Sequence, residues 1–147
     1  MAQTQKELAV SYLRSGNVEA FNALPRSERQ RLDLSGKETD LSGLDLTRFN
    51  LNNVNLDNAN LSGVNLSNMT VEFVSMRGAN LTGANLGASS FNNVDMSNAV
   101  VSNATMEAIY SHTKFNGVDF SQARISRGDF TNCEFNGAIG TEELIER

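Results

Sequence analysis

The sequence predicts an all-β solenoid, a quadrilateral β-helix of about five coils, closed at its start by a small N-terminal α-helical cap. Two observations lead there. Large apolar residues recur at every fifth position through most of the chain, and a Gly or Asn stands two positions after most of them. A period of five matches neither the 3.6 residues of an α-helix nor the 2.0 of a strand, so the backbone must turn once per repeat.

The cap comes first in the chain. Thr4-Gln5-Lys6-Glu7 has the spacing of a capping box, in which the Thr and Glu side chains satisfy free backbone N–H groups, and a helix is expected to start there. Leu8, Tyr12 and Leu13 form its apolar stripe, and Gly16 can end it. Asn17 can cap a second helix through Val18, Phe21 and Leu24, which Pro25 stops. The run Arg26 to Arg31 is basic but also holds Glu28, and it reads as a solvated surface turn. An open solenoid end exposes core side chains and unpaired backbone, so residues 1–38 are assigned to covering it.

Residues 39–138 carry the repeat. Its centres run Leu41, Leu46, Leu51, Leu56, Leu61, Leu66, Val71, Met76, Leu81, Leu86, Phe91, Met96, Val101 and Met106. They resume one residue out of phase at Tyr110, Phe115, Phe120, Ile125, Phe130 and Phe135. Two residues before a centre the side chain is small or slim, as in Ala59, Val64, Ala79, Ala84, Ala99, Ala104, Val118, Ala123 and Cys133, so both positions should point inward. The residue just before the centre is usually Asn or Asp and should point outward, as at Asp45, Asn60, Asn80 and Asp119. The Gly or Asn after the centre, from Gly43 and Asn53 through Asn93 to Asn132 and Gly137, tolerates positive φ and marks a tight turn. Four such turns close a square coil, and centres about twenty residues apart stack into four columns. Only Tyr110 brings a polar atom inward.

The tandem units Ala59-Asn60-Leu61-Ser62-Gly63 and Ala79-Asn80-Leu81-Thr82-Gly83 match the consensus A(D/N)LXX, and on them the region Thr39 to Gly137 resembles the pentapeptide-repeat family. The resemblance implies a right-handed quadrilateral β-helix. Met69-Thr70-Val71-Glu72-Phe73 departs from the pattern, with Phe73 at the turn position, as does the region of Arg124 and Arg127.

The slip between Met106 and Phe115 reads in two ways: a one-residue deletion without function, or an interrupted repeat that carries an interaction site. The candidate partner-binding residues of the second reading are Glu107, Tyr110, Ser111 and His112, with Ile109 beside them. Residues 139–147 are a short C-terminal cap, in which Thr141 starts a helical turn and Leu144 and Ile145 cover Phe135, or else a dimerisation segment.

No residue set points to catalysis, a cofactor or a metal. His112 adjoins Ser111, but a nucleophilic triad needs an orienting acid and an oxyanion hole, and neither is signalled. One His and one Cys in 147 residues cannot assemble the common zinc and iron ligand sets. Cys133 falls on the inward small-residue position and cannot form an intrachain disulfide, which suits a reducing, cytoplasmic setting. Residues 1–13 lack the apolar run of a secretory signal, and no later stretch could span a bilayer. The net charge of −5 argues against direct nucleic-acid binding, which needs a basic face.

Two function classes follow. The first is a non-catalytic protein-binding or scaffold module that presents flat polar faces of Asn, Ser, Thr and Asp. The second is implied by the resemblance: some pentapeptide-repeat proteins mimic duplex DNA and bind type II topoisomerases such as DNA gyrase. The acidic mimic face would be Asp40, Asp57, Glu72 and Asp95. About five coils stacked at ~4.8 Å span roughly 24 Å, over which duplex DNA carries about fourteen charges. One rod is a weakly charged imitation of that, so the scaffold reading leads; a homodimer through a solenoid end would double the length.

Overall fold

A computed structural model describes residues 2–145 of the chain. The start is helical for the reasons the sequence gives. In α1 (Gln5–Ser15) the Glu7 N–H donates to Thr4 Oγ1 at 3.1 Å and the Thr4 N–H donates to Glu7 Oε2 at 2.9 Å, a complete capping box. Gly16 ends the helix at φ 70°, where its N–H reaches back to the last carbonyls. Asn17 Oδ1 then accepts from Ala20 N–H and starts α2 (Val18–Asn22). The basic run is not merely a turn. Pro25 cannot extend α2, yet its carbonyl accepts from the N–H groups of Glu28 and Arg29, which closes a one-turn helix α3 (Arg26–Arg29).

From Asp33 onward the backbone forms a β-helix in which each coil hydrogen-bonds to the next. A regular unit makes the same set of bonds every time. Leu41 N–H donates to the Asn60 carbonyl at 2.9 Å, Gly43 N–H to Ser62 at 2.8 Å, and Asn60 N–H back to Thr39 at 2.9 Å. Parallel bridges repeat this down the chain, for instance Asp40 to Asn60 to Asn80 to Val100, and Asn55 to Ser75 to Asp95 to Lys114 to Glu134. One face is regular enough to form a continuous parallel sheet in the order β1 (Thr70–Glu72), β2 (Ser90–Asn92), β3 (Ile109–Ser111) and β4 (Asp129–Thr131). Val71, Phe91, Tyr110 and Phe130 lie opposite one another across it.

The centres fill the interior. Leu41, Leu61, Leu81, Val101 and Phe120 are buried in one column, and Leu46, Leu66, Leu86, Met106 and Ile125 in the next. Toward the C-terminus the filling becomes aromatic: Tyr110 stacks between Phe91 and Phe130 at 5.2 and 4.9 Å, and Phe115 stacks on Phe135 at 5.6 Å. Phe130 and Phe135 are only half-buried because no further coil covers them, and the short α4 (Glu142–Ile145) lays Leu144 against this end of the core. The side chain of Ile145, expected to cover Phe135, lies outside the described residues.

At the opposite end the first coil has no preceding coil to bond with, and the cap helices take its place. The Arg14 guanidinium donates twice to the Asp40 carbonyl, at 3.0 and 2.9 Å. Asn22 donates to the Arg48 carbonyl and accepts from the Asn50 N–H, so it occupies both sides of a strand-like edge. Phe21 meets Phe49 edge-on at 5.4 Å, sealing the core beneath.

All thirteen Gly and Asn residues at the expected turn positions have positive φ, from 53° at Asn93 to 73° at Gly117. Phe73, Ala88 and His112 adopt the same left-handed backbone at that position without being Gly or Asn. The Asn or Asp before each centre has a role beyond facing water. Its Oδ1 accepts the backbone N–H two residues on, as from Ser42 to Asp40, Ser62 to Asn60, Thr82 to Asn80 and Ser121 to Asp119. These local turns tie off an N–H that the inter-coil ladder does not use. Where the preceding residue is Thr70, Ser90 or Ile109 that acceptor is absent and the backbone forms β1, β2 and β3. Asp129 begins β4 as well, however, and Ser75, Val100 and Lys114 lack the acceptor and form only isolated bridges, so the acceptor alone does not decide where strands form.

The phase slip is an ordered one-residue deletion at a corner. Between Leu86 and Phe91 the chain turns through Ala88 at φ 57°, whose N–H donates to the Glu107 carbonyl. The next coil lacks the equivalent residue: Ala108 N–H closes a tight turn onto Met106 at 2.9 Å, and Ile109 N–H rejoins the ladder at Ser89. Pairing of Phe91 with Tyr110 is therefore undisturbed.

Leu81 is fully buried between Leu61 and Val101, so Leu81→Asp should cost about 3 kcal/mol or more, read as a lowered midpoint in chemical denaturation. An unchanged midpoint would place Leu81 in solvent.

Hydrogen bonds from Ser42, Thr47 and Ser121, side chain and backbone, hold the Asp40, Asp45 and Asp119 carboxyls below their ordinary value of 3.8. A depressed folded-state value gives stability that is present above the unfolded value and lost as pH falls through the folded one. The triple variant Asp40→Asn, Asp45→Asn, Asp119→Asn keeps the turn acceptors but cannot titrate. Its denaturation midpoint should fall less than that of wild type between about pH 4 and 2.

Candidate functional site

The face built by β1 to β4 carries one departure from the repeat, Met69 to Phe73, and borders the deletion before Ile109. Its outward side chains come in pairs from successive rungs: Thr70 and Glu72, Ser90 and Asn92, Ile109 and Ser111, Asp129 and Thr131. Along one edge runs the turn column Asn53, Phe73, Asn93, His112 and Asn132. Most of this surface is polar, but Phe73 is 59% exposed and Ile109 is 54% exposed. Phe73 holds φ 57° with a bulky side chain where neighbouring rungs use Asn, a conformation that costs on the order of 1 kcal/mol. The sequence marks Phe73 only as an irregular turn; that it is also exposed needs the fold.

Of the residues expected at the interrupted repeat, three reach the surface. Ser111 Oγ lies 2.9 Å from His112 Nδ1, a contact between chain neighbours, and Glu107 Oε1 accepts from Ser126 Oγ at 3.3 Å around the adjacent corner. Tyr110 does not belong with them. It is fully buried, clamped between Phe91 and Phe130, because the deletion leaves the inward column in register. Its hydroxyl finds no hydrogen-bond partner there, and burial pushes the phenol well above its ordinary value. Cys133 packs beside it, its Sγ 3.5 Å from the Tyr110 carbonyl, and burial raises the thiol. It is held as a neutral, small apolar group.

The four candidate mimic acids do not share a face. Asp40 lies on the Leu41 face, Glu72 on the β-sheet face, and Asp57 and Asp95 on the Leu56 face. Three of the four are engaged by the fold. Asp40 Oδ1 accepts from Ser42 N–H and Asn60 Nδ2, Asp57 Oδ1 from Ser75 Oγ and Arg77 N–H, and Asp95 Oδ1 from Ser97 N–H. Lys114 follows Asp95 in its column and pairs with Glu134 at 3.8 Å, which further breaks any run of negative charge.

At the N-terminal end of the sheet face, α3 stands beside the first rungs and leaves a cleft of about 320 Å³ lined by Arg26, Arg29, Asn50, Asn52, Glu72 and Phe73. Among the described residues no group of three or more His, Cys, Asp or Glu side chains could hold a metal ion, and no helix is long and apolar enough to cross a membrane.

A family model described as pentapeptide repeats matches in eight copies, over residues 37–69, 73–108 and 111–139. Its gaps are residues 70–72, which form β1, and residues 109–110, the start of β3 just past the deletion. No curated protein matches the chain. Among solved structures, HetL of the cyanobacterium Nostoc sp. strain PCC 7120, a pentapeptide repeat protein involved in heterocyst differentiation regulation, shares 22% identity over 67% of this chain and 58% of its own, at a TM-score of 0.36. QnrB1, a plasmid-mediated fluoroquinolone resistance protein, shares 16% over 72% and 59%, at 0.45. A pentapeptide repeat protein of the Arabidopsis thaliana thylakoid lumen shares 23% over 82% and 69%, at 0.34. The chain thus spans under two thirds of the first two.

Phe73→Asn should raise the denaturation midpoint, by about 1 kcal/mol in stability, because Asn accepts the left-handed backbone that Phe resists. A lowered midpoint would show that the exposed ring stabilises the fold.

Proposed function

Since the chain belongs to the pentapeptide-repeat family, we propose that it is a non-catalytic protein-binding or scaffold module whose β1 to β4 face docks a protein partner. In this reading the rod is a right-handed quadrilateral β-helix of about five coils over residues 39–138, capped by residues 1–38, and it works in the cytoplasm. One observation carries the choice of face. Phe73 holds an unfavourable left-handed backbone and is exposed, an apolar ring on a polar face at a turn where the neighbouring rungs carry Asn, which supports a contact made outside the fold. Ile109, Ser111 and His112 continue the surface two rungs further on. Residues 139–147 are proposed as a short C-terminal cap or else a dimerisation segment; half-covered Phe130 and Phe135 and the 59% exposed Ile139 at that end support a homodimer there.

The DNA-mimic reading, with a type II topoisomerase as partner, is the weaker one. It needs a row of free carboxylates, and the acids here are spread over three faces, with Asp40 and Asp95 tied into turns and Asp57 bonded to the next coil. Two measurements separate the readings. Immobilised full-length chain should capture a partner from native extract, and Ile109→Thr or Phe73→Asn should reduce that capture severalfold at an undiminished denaturation midpoint. Capture insensitive to both variants would remove the docking face. Inhibition of gyrase supercoiling by wild type at micromolar concentration, lost when Asp40, Asp57, Glu72 and Asp95 are neutralised together, would put the mimic reading first; no inhibition is expected.

A further inference from the structure

We propose that the cleft between α3 and the first rungs of the sheet face recognises an acidic peptide, an extended segment of the partner that carries a carboxylate next to an apolar side chain. This rests on the docking reading above and names the chemistry of what docks. Charge points to it first. Residues 1–48 hold seven basic and seven acidic side chains, so the whole surplus of −5 lies downstream. Within the balanced part Arg26 and Arg29 stand on one wall of the cleft, and among the described residues neither makes an ion pair. Arg29 Nε is buried without an acceptor, a position in which a guanidinium lacks the partner that burial normally demands.

The floor supplies further donors. The Asn50 side-chain oxygen is taken by Asn52 N–H, and that of Asn52 by Glu72 N–H, so the NH2 groups of both remain for a ligand's carbonyl or carboxylate oxygens. The opposite wall carries Glu72 and the exposed Phe73 ring. Glu72 repels a carboxylate on that side and so directs it toward the arginines, while the Phe73 ring offers an apolar surface to the neighbouring side chain. A nucleic-acid phosphate would meet the same two arginines, but everything beyond them along the rod is net acidic.

Panning the full chain against a phage-displayed random heptapeptide library tests the proposal, with the Arg26→Gln, Arg29→Gln double variant as counter-screen. Enriched peptides should place Asp or Glu within two residues of Leu, Ile or Phe. A synthetic peptide of enriched sequence should bind the double variant about tenfold more weakly in fluorescence anisotropy, and lose about as much when its acids become amides. Since Arg29 is half-buried, Arg26→Gln alone serves as the second variant, with about threefold loss expected at an unchanged melting temperature. Peptides without acids, binding equal in variant and wild type, or no enrichment above the counter-screen would each overturn the cleft. Binding lost with Ile109→Thr but kept with Arg26→Gln would likewise overturn it while leaving the docking face intact. A labelled oligonucleotide that binds wild type and not the double variant, with no peptide enriched, would overturn it in favour of phosphate recognition.

Discussion

Each coil's backbone is satisfied by the coils above and below it, and the remaining features of the molecule follow from keeping that ladder unbroken. The Leu41, Gly43 and Asn60 bonds recur because four corners return the chain to the same azimuth after each circuit. A corner every five residues requires a left-handed backbone at one position per repeat, and this sets the Gly and Asn column. The narrow interior admits one large side chain per corner-to-corner segment, which sets the Leu, Val, Met and Phe columns. The cap is the same requirement met at an end: Arg14 and Asn22 supply to the first coil the hydrogen bonds that a previous coil would have made.

Most of the rod could be read from the sequence because one repeat states the same physical demand many times. Leu61 and Leu81 are inward for identical reasons, and Thr4, Gly16 and Asn17 punctuate the helices with side chains whose chemistry is local. What escaped depends on relations the period does not contain. The function of Asn60 or Asp119 as an acceptor for its own turn lies in an outward side chain that folds back. The short α3 needed the Pro25 carbonyl to be seen as a start, not only a stop. Tyr110 reads as an inward centre by its phase and as a binding residue by its place at the irregularity; the irregularity lies at the corner before it and leaves the column alone, so the side chain is inside. The acids were legible one by one, whereas their scatter over three faces required the coil geometry.

The β1 to β4 face is distinct in its continuous strands. There Thr70, Ser90 and Ile109 stand where most other rungs carry Asn or Asp, and with Asp129 they begin the four strands of a continuous sheet. The same face carries Phe73 at a corner where its bulk is unfavourable, and it begins at a cleft whose two arginines make no ion pair among the described residues. The Leu41 face has exposed apolar residues of its own, Val100 and Ile139, so the sheet face is set apart by its strands, by the backbone of Phe73 and by the cleft at its start.

The single-residue loss before Tyr110 also bears on how such a chain can change over generations. At a corner the missing residue is Ala88's counterpart, whose side chain belongs to no column, and the ladder resumes at the next N–H. The same loss within a β-strand would exchange inner for outer side chains in every residue that follows until another corner absorbed it. The corner between Met106 and Ala108 therefore absorbs the loss of one codon while every later side chain keeps its side of the wall.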